Sequence, residues 1–469
     1  MTSTLAPRTT TEVQRLADFV TAADVDRIPP DALEQLKIRV LDTLGVAIGA
    51  LDAPPLIAIR GLVDDLGGDP RSTMIGGGRS APDRVAFYNG ALSRYLDFMD
   101  SFIGRGETNH PSDNLGAVLA AAESVGASGR EFLTALAVAY QVHVRLSEAA
   151  PVRDKGFDHT TQGAYAAAAG AAKALGLDAA QTANAIAIAG TANNALRVTR
   201  TGNLSHWKGL AYPNTAKEAT FAALLASRGI TGPEAVFEGN KGFKDAIAGP
   251  FEIDWAAEGL DAVLRTIVKK HNAEIHSQSA LDAALDIRAQ DGFTARAVRA
   301  VRLRTFDVAF SIIGGGEEGG KHDIRTKEEA DHSLPYMLTV ALLDGHLTPE
   351  QYTPERIAAD DVQELLAKVE VTPSPELTAK FPGLLPAELE VELADGTVFA
   401  AARDDYRGFV TDPLTWAAAR AKFDLLAAPF ADTALREDIA DAVRRLEDLD
   451  VAALTALLAR VSTVRSDAH

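Results

Sequence analysis

Two carboxylates and a hydroxyl lie close together in one polar stretch of the sequence. Asp97, Asp100 and Ser101 occupy positions i, i+3 and i+4, which share a face on a helix, so the three side chains can point the same way. His110 follows, after the glycine-flanked Arg105. Acidic groups at a helix end, followed by a loop that carries histidine, are typical of one wall of a pocket. The alternative is a helix end with solvated aspartates.

Two further polar groups stand just before predicted helices. His159 precedes an alanine-rich stretch, and the dipole at a helix start favours the neutral imidazole, which suits proton transfer near pH 7. A capping or surface histidine is the alternative. Lys208 follows Trp207 ahead of another helix and can bind a carboxylate, or act as a general acid or base once desolvated. The alternative is an exposed lysine that lies along the aromatic ring.

A third group of polar residues flanks a predicted domain junction, where ligand sites concentrate. It contains Lys270, His271 and His276. The two histidines do not have the spacing of a helical metal site and no carboxylate motif completes one, so we expect no metal. Two glycine triplets, at residues 76–78 and 314–316, lack the ending of a phosphate-binding loop, and we interpret both as ordinary loops.

The composition excludes several classes of protein. The 469 residues carry a formal charge of -19 and no basic tail, which argues against a nucleic-acid partner. The absence of cysteine removes disulfides, thiol nucleophiles, thiolate zinc sites and cysteine-bound iron–sulfur clusters. Residues 1–8 lack an apolar signal core and no long apolar run occurs, so we expect no membrane association and predict a soluble, cytoplasmic protein.

The remaining candidates are histidine, lysine, aspartate and tyrosine residues, without a thiol, a nucleotide motif or a serine nucleophile elbow. Such a set favours proton transfer, without a cofactor, on a small molecule that carries its own activating groups. An anionic substrate needs only a few basic groups that converge locally, so the negative net charge does not exclude one.

The elements that must position these residues are mostly helical. Asp31 is the predicted N-cap of a helix over residues 31–45, and residues 82–96 form another predicted helix. Further helices are predicted at residues 130–148, 161–175, 178–190, 214–228, 331–343 and within 412–458. Alternating apolar residues and an Asp-Gly turn predict strands at residues 298–304, 369–371, 389–393 and 398–402.

This order of elements predicts a mainly α protein with an inserted α+β domain. Both chain ends, residues 1–268 and 405–469, would form one large all-helical domain, and residues 269–404 would form the smaller α+β domain.

Short segments along nearly the whole chain resemble the MmgE/PrpD family in their order and spacing. They are residues 41–45, 95–100, 110–114, 207–209, 229–233, 276–279 and 330–336. The resemblance implies a helical domain made from both chain ends, a smaller α+β lid domain, and a homodimer. Members include 2-methylcitrate dehydratase, cis-aconitate decarboxylase and iminodisuccinate epimerase, which act on small polycarboxylates without an iron–sulfur cluster.

The family's motifs also imply which residues line a pocket between the two domains. These are Asp97, Ser101, His110, His159, Lys208, His276 and Tyr336.

The roles expected from the resemblance divide these residues into binding and proton-transfer groups. Lys208 and His110 would hold substrate carboxylates, with Lys270 as a helper, and loss of Lys208 would chiefly raise KM. His159 and His276 would transfer protons, Tyr336 would assist as a donor, and Asp97 would belong to the catalytic set. Arg105 is either an additional carboxylate contact or a surface loop residue.

The leading hypothesis is a cofactor-independent lyase that resembles 2-methylcitrate dehydratase and acts on a small polycarboxylate. A decarboxylase or an epimerase of a related acid is the alternative within the family. Two other classes are a non-catalytic relative that binds polycarboxylates and an all-helical scaffold that binds proteins. The full set of polar motifs is present, which argues against both.

Overall fold

A computed structural model describes residues 10–104, 106–202 and 204–462, and Arg105 therefore lies outside the described residues. The protein is mainly helical with small sheets. The longer helices of the first part of the chain are Glu12–Ala22, Pro30–Ile48, Pro54–Leu66, Pro82–Tyr95, Leu115–Ser124, Gly129–Ala149, Thr160–Ala174, Ala179–Ala192 and Trp207–Ala226. Those of the later part are Gln278–Arg288, Leu334–Asp344, Trp416–Ala427, Thr433–Arg444 and Val451–Leu458.

Small residues let the helices of the first part approach one another closely. The helix Thr160–Ala174 is almost entirely buried. A Cβ added at Gly163 would lie 2.3 Å from the ring of Tyr212, and one at Gly170 would lie 2.8 Å from Val118. Real Cβ atoms do not make such contacts, so the absence of side chains at these two positions sets the spacing between neighbouring helices.

Helices from both ends of the chain share one hydrophobic core. This helical cluster contains residues from 13–263 and from 423–461. Gly45, in the helix Pro30–Ile48, lies so close to the C-terminal part that an added Cβ would be 3.0 Å from the Cα of Phe423. A second core, the sheet cluster, contains residues from 273–399.

The sheet cluster is built on a four-stranded sheet whose strands were all predicted from sequence. In spatial order they are Val369–Pro373, Val298–Thr305, Ala387–Leu393 and Val398–Arg403. Val301 pairs with Val369 in parallel and with Val391 in antiparallel orientation. Alternate side chains of Val298–Thr305 are buried, as the sequence pattern indicated.

The structure corrects the predicted geometry of the first polar stretch. The helix ends at Tyr95, Asp97 has a positive φ of 54°, and residues 100–103 form a strand, so Asp97, Asp100 and Ser101 do not share a helical face. Asp97 and Asp100 instead make separate contacts, because the left-handed backbone at Asp97 reverses the direction of the chain. The Asp100 carboxylate accepts hydrogen bonds from the backbone N–H of Ser112 and the hydroxyl of Tyr140.

A smaller correction concerns the start of the second helix. Pro29, not Asp31, occupies the N-cap position. Asp31 lies in the first turn and its carboxylate accepts from the N–H of Ala32. Proline suits the start of a helix because the N–H that it lacks has no partner there.

A three-stranded sheet brings the first polar stretch beside residues 267–268. The strand Asp100–Ile103 lies between Thr108–Asn109 and Ile267–Val268, with Ser101 opposite Ile267. Through this sheet, the helical cluster meets the segment that leads into the sheet cluster.

The division into domains at residues 268 and 405 stays a prediction.

Within residues 10–104, 106–202 and 204–462, none of the helices has both the length and the apolar character needed to span a bilayer.

Candidate active site

Asp97 is the centre of a buried cluster of charges. Its carboxylate pairs with Arg94 and lies 3.0 Å from Lys269 Nζ and 3.4 Å from Lys208 Nζ. Burial raises the pKa of Asp97, but these three cations outweigh burial and hold it well below its usual value. Asp97 also has a positive φ of 54°, a conformation that is costly for a non-glycine residue.

Lys208 is enclosed by groups of the protein itself. Its Nζ lies 3.2 Å from Asp331 Oδ1 and 3.1 Å from His332 Nδ1, besides the contact with Asp97. Ligand atoms of Asp97, Asp331 and His332 lie within 4.8 Å of one another, a spacing that can hold a metal ion. The Lys208 ammonium supplies the positive charge at this position. Burial lowers the pKa of Lys208, and the two carboxylates oppose that shift.

His110 is held through one ring nitrogen. Its Nδ1 lies 2.8 Å from the carbonyl oxygen of Asp100 and 3.0 Å from Ser101 Oγ. A carbonyl only accepts, so Nδ1 carries the proton and Nε2 keeps its lone pair. Burial and the nearby Arg94 and Lys269 hold the pKa of His110 well below its usual value. The imidazole is therefore neutral near pH 7.

His159 lies edge-on to His110, with 5.6 Å between ring centroids. Its Nδ1 lies 3.4 Å from Asp158 Oδ1, and Arg200 Nη2 lies 3.4 Å from its Nε2. Burial lowers the pKa of His159 well below its usual value, with Arg200 adding to burial and Asp158 opposing it. A negative charge close to Arg200 would weaken one of these causes and make the ring easier to protonate.

His276 has the arrangement of an oriented general base. Glu274 lies 2.8 Å from its Nδ1 and also accepts from its backbone N–H. Burial raises the pKa of Glu274, but His276 outweighs burial and brings it to about 2, so Glu274 is ionised. Nδ1 must then carry the proton, and Nε2 is buried without a hydrogen-bond partner among the described residues. A carboxylate that fixes the tautomer and leaves the other nitrogen free prepares the ring to accept a proton.

These groups surround a narrow inner pocket between the helical and sheet clusters. Its volume is about 60 Å³. Its lining combines four histidines, four arginines and three glutamates. The charged and histidine residues are Arg94, Glu107, His110, Arg153, His159, Arg197, Arg200, Glu274, His276, Glu318 and His332.

The structure therefore brings together most of the candidates, at different depths. His110, His159 and His276 line the inner pocket. Asp97 and Lys208 lie behind His332, which Lys208 contacts directly. Ser101 lies behind His110.

Two candidates lie elsewhere, contrary to expectation. Tyr336 is fully buried in the sheet cluster, where its hydroxyl donates to the carbonyl of Gln351, so it does not line the pocket. Lys270 is half exposed and pairs with Asp282 at 2.7 Å. Its neighbour Lys269 takes the inner position, because consecutive side chains of an extended segment point to opposite sides.

Sequence reasoning missed several charged residues of the site, although some had a local signal. Arg94 stands one helical turn before Asp97, and Glu274 stands two residues before His276. His332 is part of the family-like segment 330–336, in which only Tyr336 was chosen. Arg153, Arg197 and Arg200 lie in short helical turns with no recognisable motif.

Comparison with known proteins gives the family. Residues 14–256 match the model of the MmgE/PrpD N-terminal domain and residues 271–448 match that of the MmgE/PrpD C-terminal domain. The chain is 29% identical over 422 residues to the mitochondrial 2-methylcitrate dehydratase of Yarrowia lipolytica, which covers 85% of this chain and 80% of that protein. It is 30% identical to the 2-methylcitrate dehydratase of Cupriavidus necator over 82% of each chain. It is 26% identical to the cis-aconitate decarboxylase of Mus musculus over 95% of this chain and 93% of that protein. Together with the motifs, these matches establish that the chain belongs to the MmgE/PrpD family.

Proposed function

We propose that the protein is a cofactor-independent lyase that dehydrates a small polycarboxylate of the 2-methylcitrate type. The observation that carries the proposal is the lining of the inner pocket. Four arginines converge there with four histidines, which are groups that bind carboxylates and move protons. The names of the relatives in Yarrowia lipolytica and Cupriavidus necator support the same reaction.

His276 is assigned the role of base in this proposal. Its free Nε2 removes the proton alpha to a substrate carboxylate, and Glu274 stabilises the imidazolium that forms. The electron pair of the broken C–H bond becomes the new C=C bond. The C–O bond to the hydroxyl breaks at the same time or next.

His159 is assigned the role of acid, which must deliver a proton to the departing hydroxyl so that it leaves as water. A substrate carboxylate placed against Arg200 offsets one cause of the low pKa of His159. The ring then holds the proton that it donates. His110, which lies edge-on to His159, would contact the substrate through its free Nε2.

Decarboxylation of a related acid is the second candidate. It is favoured by the mouse cis-aconitate decarboxylase, which matches 95% of this chain. The acid can serve both reactions, since the C–C bond to the lost carboxylate leaves its electron pair on a carbanion-like carbon that must be protonated.

The test is to follow 2-methylcitrate, citrate, cis-aconitate and iminodisuccinate by proton NMR in deuterated water with the purified protein. Appearance of an alkene from 2-methylcitrate supports the dehydratase. Loss of carbon dioxide from cis-aconitate supports the decarboxylase instead, and deuterium exchange into iminodisuccinate without a change of skeleton points to an epimerase. If none of these acids changes, the proposed lyase activity is wrong.

A further inference from the structure

Two arginines at the mouth of the inner pocket share a single carboxylate. Arg153 Nη2 and Arg197 Nη2 lie 3.3 Å and 3.0 Å from the same oxygen, Oε1 of Glu318. Glu318 belongs to the segment 307–320, on the side of the pocket formed by the sheet cluster (the sheet side). Both arginines lie on the side formed by the helical cluster (the helical side). Two guanidinium groups thus share one carboxylate at this point, and the buried Glu107 lies near Arg197.

The other arginines of the pocket pair with carboxylates on their own side of it. Arg94 is paired with Asp97, and Arg200 Nε lies 2.6 Å from Asp158 Oδ2. Their carboxylate partners are fully buried and belong to the same side of the pocket. The pair Arg153 and Arg197 is therefore the better candidate for exchanging its partner with a ligand.

The backbone fixes the spacing of the arginine pair. Arg153 and Arg197 each start a short helical turn, Arg153–Lys155 and Arg197–Arg200. The two turns are joined by a β-bridge between Phe157 and Leu196, and the N–H of Arg197 donates to the carbonyl of Gly156 at 2.9 Å. The backbone positions from which the two side chains extend are thus held together by contacts that do not involve Glu318, which is part of the preorganisation that a binding site needs.

Glu318 is attached differently. It lies on a loop with positive φ at Gly315 and Gly319, after the helical segment Phe310–Gly314. Its N–H donates to the carbonyl of Ser311 at 3.0 Å, so the loop is tied to its own segment and not to the helical side. Its side-chain contact with the two arginines is a link between the two sides of the pocket.

The contact between Glu318 and the two arginines lies where a narrow inner pocket meets a wider outer cleft. Arg153, Arg197 and Glu318 line both the inner pocket of about 60 Å³ and an adjoining outer cleft of about 640 Å³. The inner volume suffices for a few water molecules. Ligand sites of several hundred Å³ are usual, so a polycarboxylate that reaches His276 must extend past the arginine pair.

We propose that Arg153 and Arg197 form a second carboxylate-binding subsite at the mouth of the pocket. Glu318 fills this subsite until a substrate carboxylate displaces it. The inference rests on the proposed function, because it requires a substrate with a carboxylate distant from the reacting carbon. It assigns a role in specificity to the arginine pair: acids that lack the additional carboxylate cannot compete with Glu318.

The experiment measures binding of two unreactive probes by calorimetry, inorganic phosphate and tricarballylate. Glu318→Gln keeps the shape of the side chain but removes its charge, so both probes should bind roughly tenfold more tightly than to the wild type. Arg197→Gln should weaken tricarballylate binding by roughly tenfold, and adding Glu318→Gln to it should restore little. Arg153→Gln provides a second variant of the pair.

Glu317→Gln is the matched control. Glu317 is exposed, lines the same outer cleft and carries the same charge, but it is outside the contact with the arginine pair. Its loss should leave binding of both probes within about twofold. Circular dichroism and a melting curve check that each variant is folded.

Two results would overturn the subsite. One is a Glu318→Gln protein that binds both probes no more tightly than Glu317→Gln does, and the other is unchanged tricarballylate binding in both arginine variants. The turnover assay separates this failure from that of the proposed function. If the protein converts a polycarboxylate but its probe binding does not respond to these substitutions, the subsite alone is rejected. If the substitutions change probe binding as expected but no acid is converted, the lyase is rejected and an anion subsite remains.

Discussion

At the scale of single residues, the pair of His276 and Glu274 carries the most specific chemical expectation. His276→Gln removes the base, so kcat should fall by about 10²–10⁴ while KM changes little. Glu274→Gln keeps a side chain of the same shape but removes the charge that stabilises the imidazolium. It should also lower kcat, measured by initial rates.

His346→Gln is the control for these variants. His346 is exposed and is not part of the pocket lining. Its loss should leave kcat unchanged, and a His276→Gln protein with the same kcat as this control would refute the assignment of the base.

Replacing Lys208 tests whether this buried cation contributes mainly to substrate binding or to the stability of the fold. Lys208→Met leaves Asp97 and Asp331 buried with one cation fewer, so the free energy of unfolding should fall by about 3–5 kcal/mol. The effect on KM expected from the family resemblance stays a prediction. Both are measured together, by urea denaturation and by kinetics well below the melting temperature.

The control lies on the same helix. Lys217 pairs with Glu218 at 2.6 Å, and both side chains are partly exposed. Lys217→Met should change the free energy of unfolding by less than about 1 kcal/mol. A Lys208→Met protein that is as stable as this control but has a raised KM would mean that Lys208 acts mainly on the substrate.

At the scale of elements, helix spacing is the property most open to a direct test. Gly163→Ala would place a Cβ 2.3 Å from Tyr212, whose hydroxyl donates to Asn114 and whose ring faces His159. We expect a loss of about 1–3 kcal/mol in the free energy of unfolding, because the packed helices must separate. The loss of activity should exceed what the unfolded fraction explains.

Gly61→Ala is the matched control, since nothing lies within 4 Å of a Cβ added at Gly61. This change within the helix Pro54–Leu66 should stabilise by roughly 0.5–1 kcal/mol. Urea denaturation of the two variants distinguishes tight packing at Gly163 from a general effect of glycine replacement. Equal stability of the two proteins would contradict the close approach at Tyr212.

The elements were easier to predict than the directions of their side chains. The apolar periodicity of residues 298–304 and 389–402 indicated the strands, because a half-buried sheet imposes alternation on the sequence itself. No comparable pattern reveals the turn at Asp97, since its left-handed backbone is held by cations distant in sequence. Likewise, only the short strand ending at residue 268 decides that Lys269 and not Lys270 points inward.

Motif resemblance located His110, His159 and His276 in the pocket but placed Tyr336 there too. A motif records that a residue recurs, not whether it contacts a ligand or packs in a core. Tyr336 lies in the segment that also supplies His332, and the helix starting at Leu334 turns its side chain into the sheet cluster. The arginine pair had no signal at all, because two distant loops meet there.

At the scale of the whole molecule, buried neutral histidines make stability depend on pH. Burial lowers the pKa of His143 to about 3, against about 6.5 in the unfolded chain. Below pH 6.5 the unfolded state therefore binds more protons, and this histidine removes about 1.4 kcal/mol of stability per pH unit as the pH falls towards 3. Above pH 6.5 its contribution is constant.

The measurement is the difference in free energy of unfolding between the wild type and His143→Gln across pH. That difference should change with pH between about 6.5 and 4 and level off above it. Comparing the variant with its parent cancels the contributions of other buried groups to the pH dependence. One of these is Asp113, whose pKa burial raises to about 7 and whose contribution to stability changes with pH in the opposite direction. A pH-independent difference would show that His143 is protonated alike in both states.

The helix Trp416–Ala427, from the later part of the chain, also supports the site. The Lys422 ammonium donates to the backbone carbonyls of Phe98 and Lys269, at 2.5 Å and 3.0 Å, and pairs with Asp42 at 2.8 Å. One side chain from late in the sequence thus holds together the two segments that meet at Asp97.

The late position of Lys422 in the sequence affects when the site can assemble during synthesis. During synthesis, the histidines and arginines of the pocket leave the ribosome well before Lys422 does, so the early part of the chain waits without the cation that joins residues 98 and 269. We expect a chain that stops before residue 416 to contain every lining residue of the inner pocket and still to lack the cation that joins residues 98 and 269. Completion of translation is in this sense the last step in building the site.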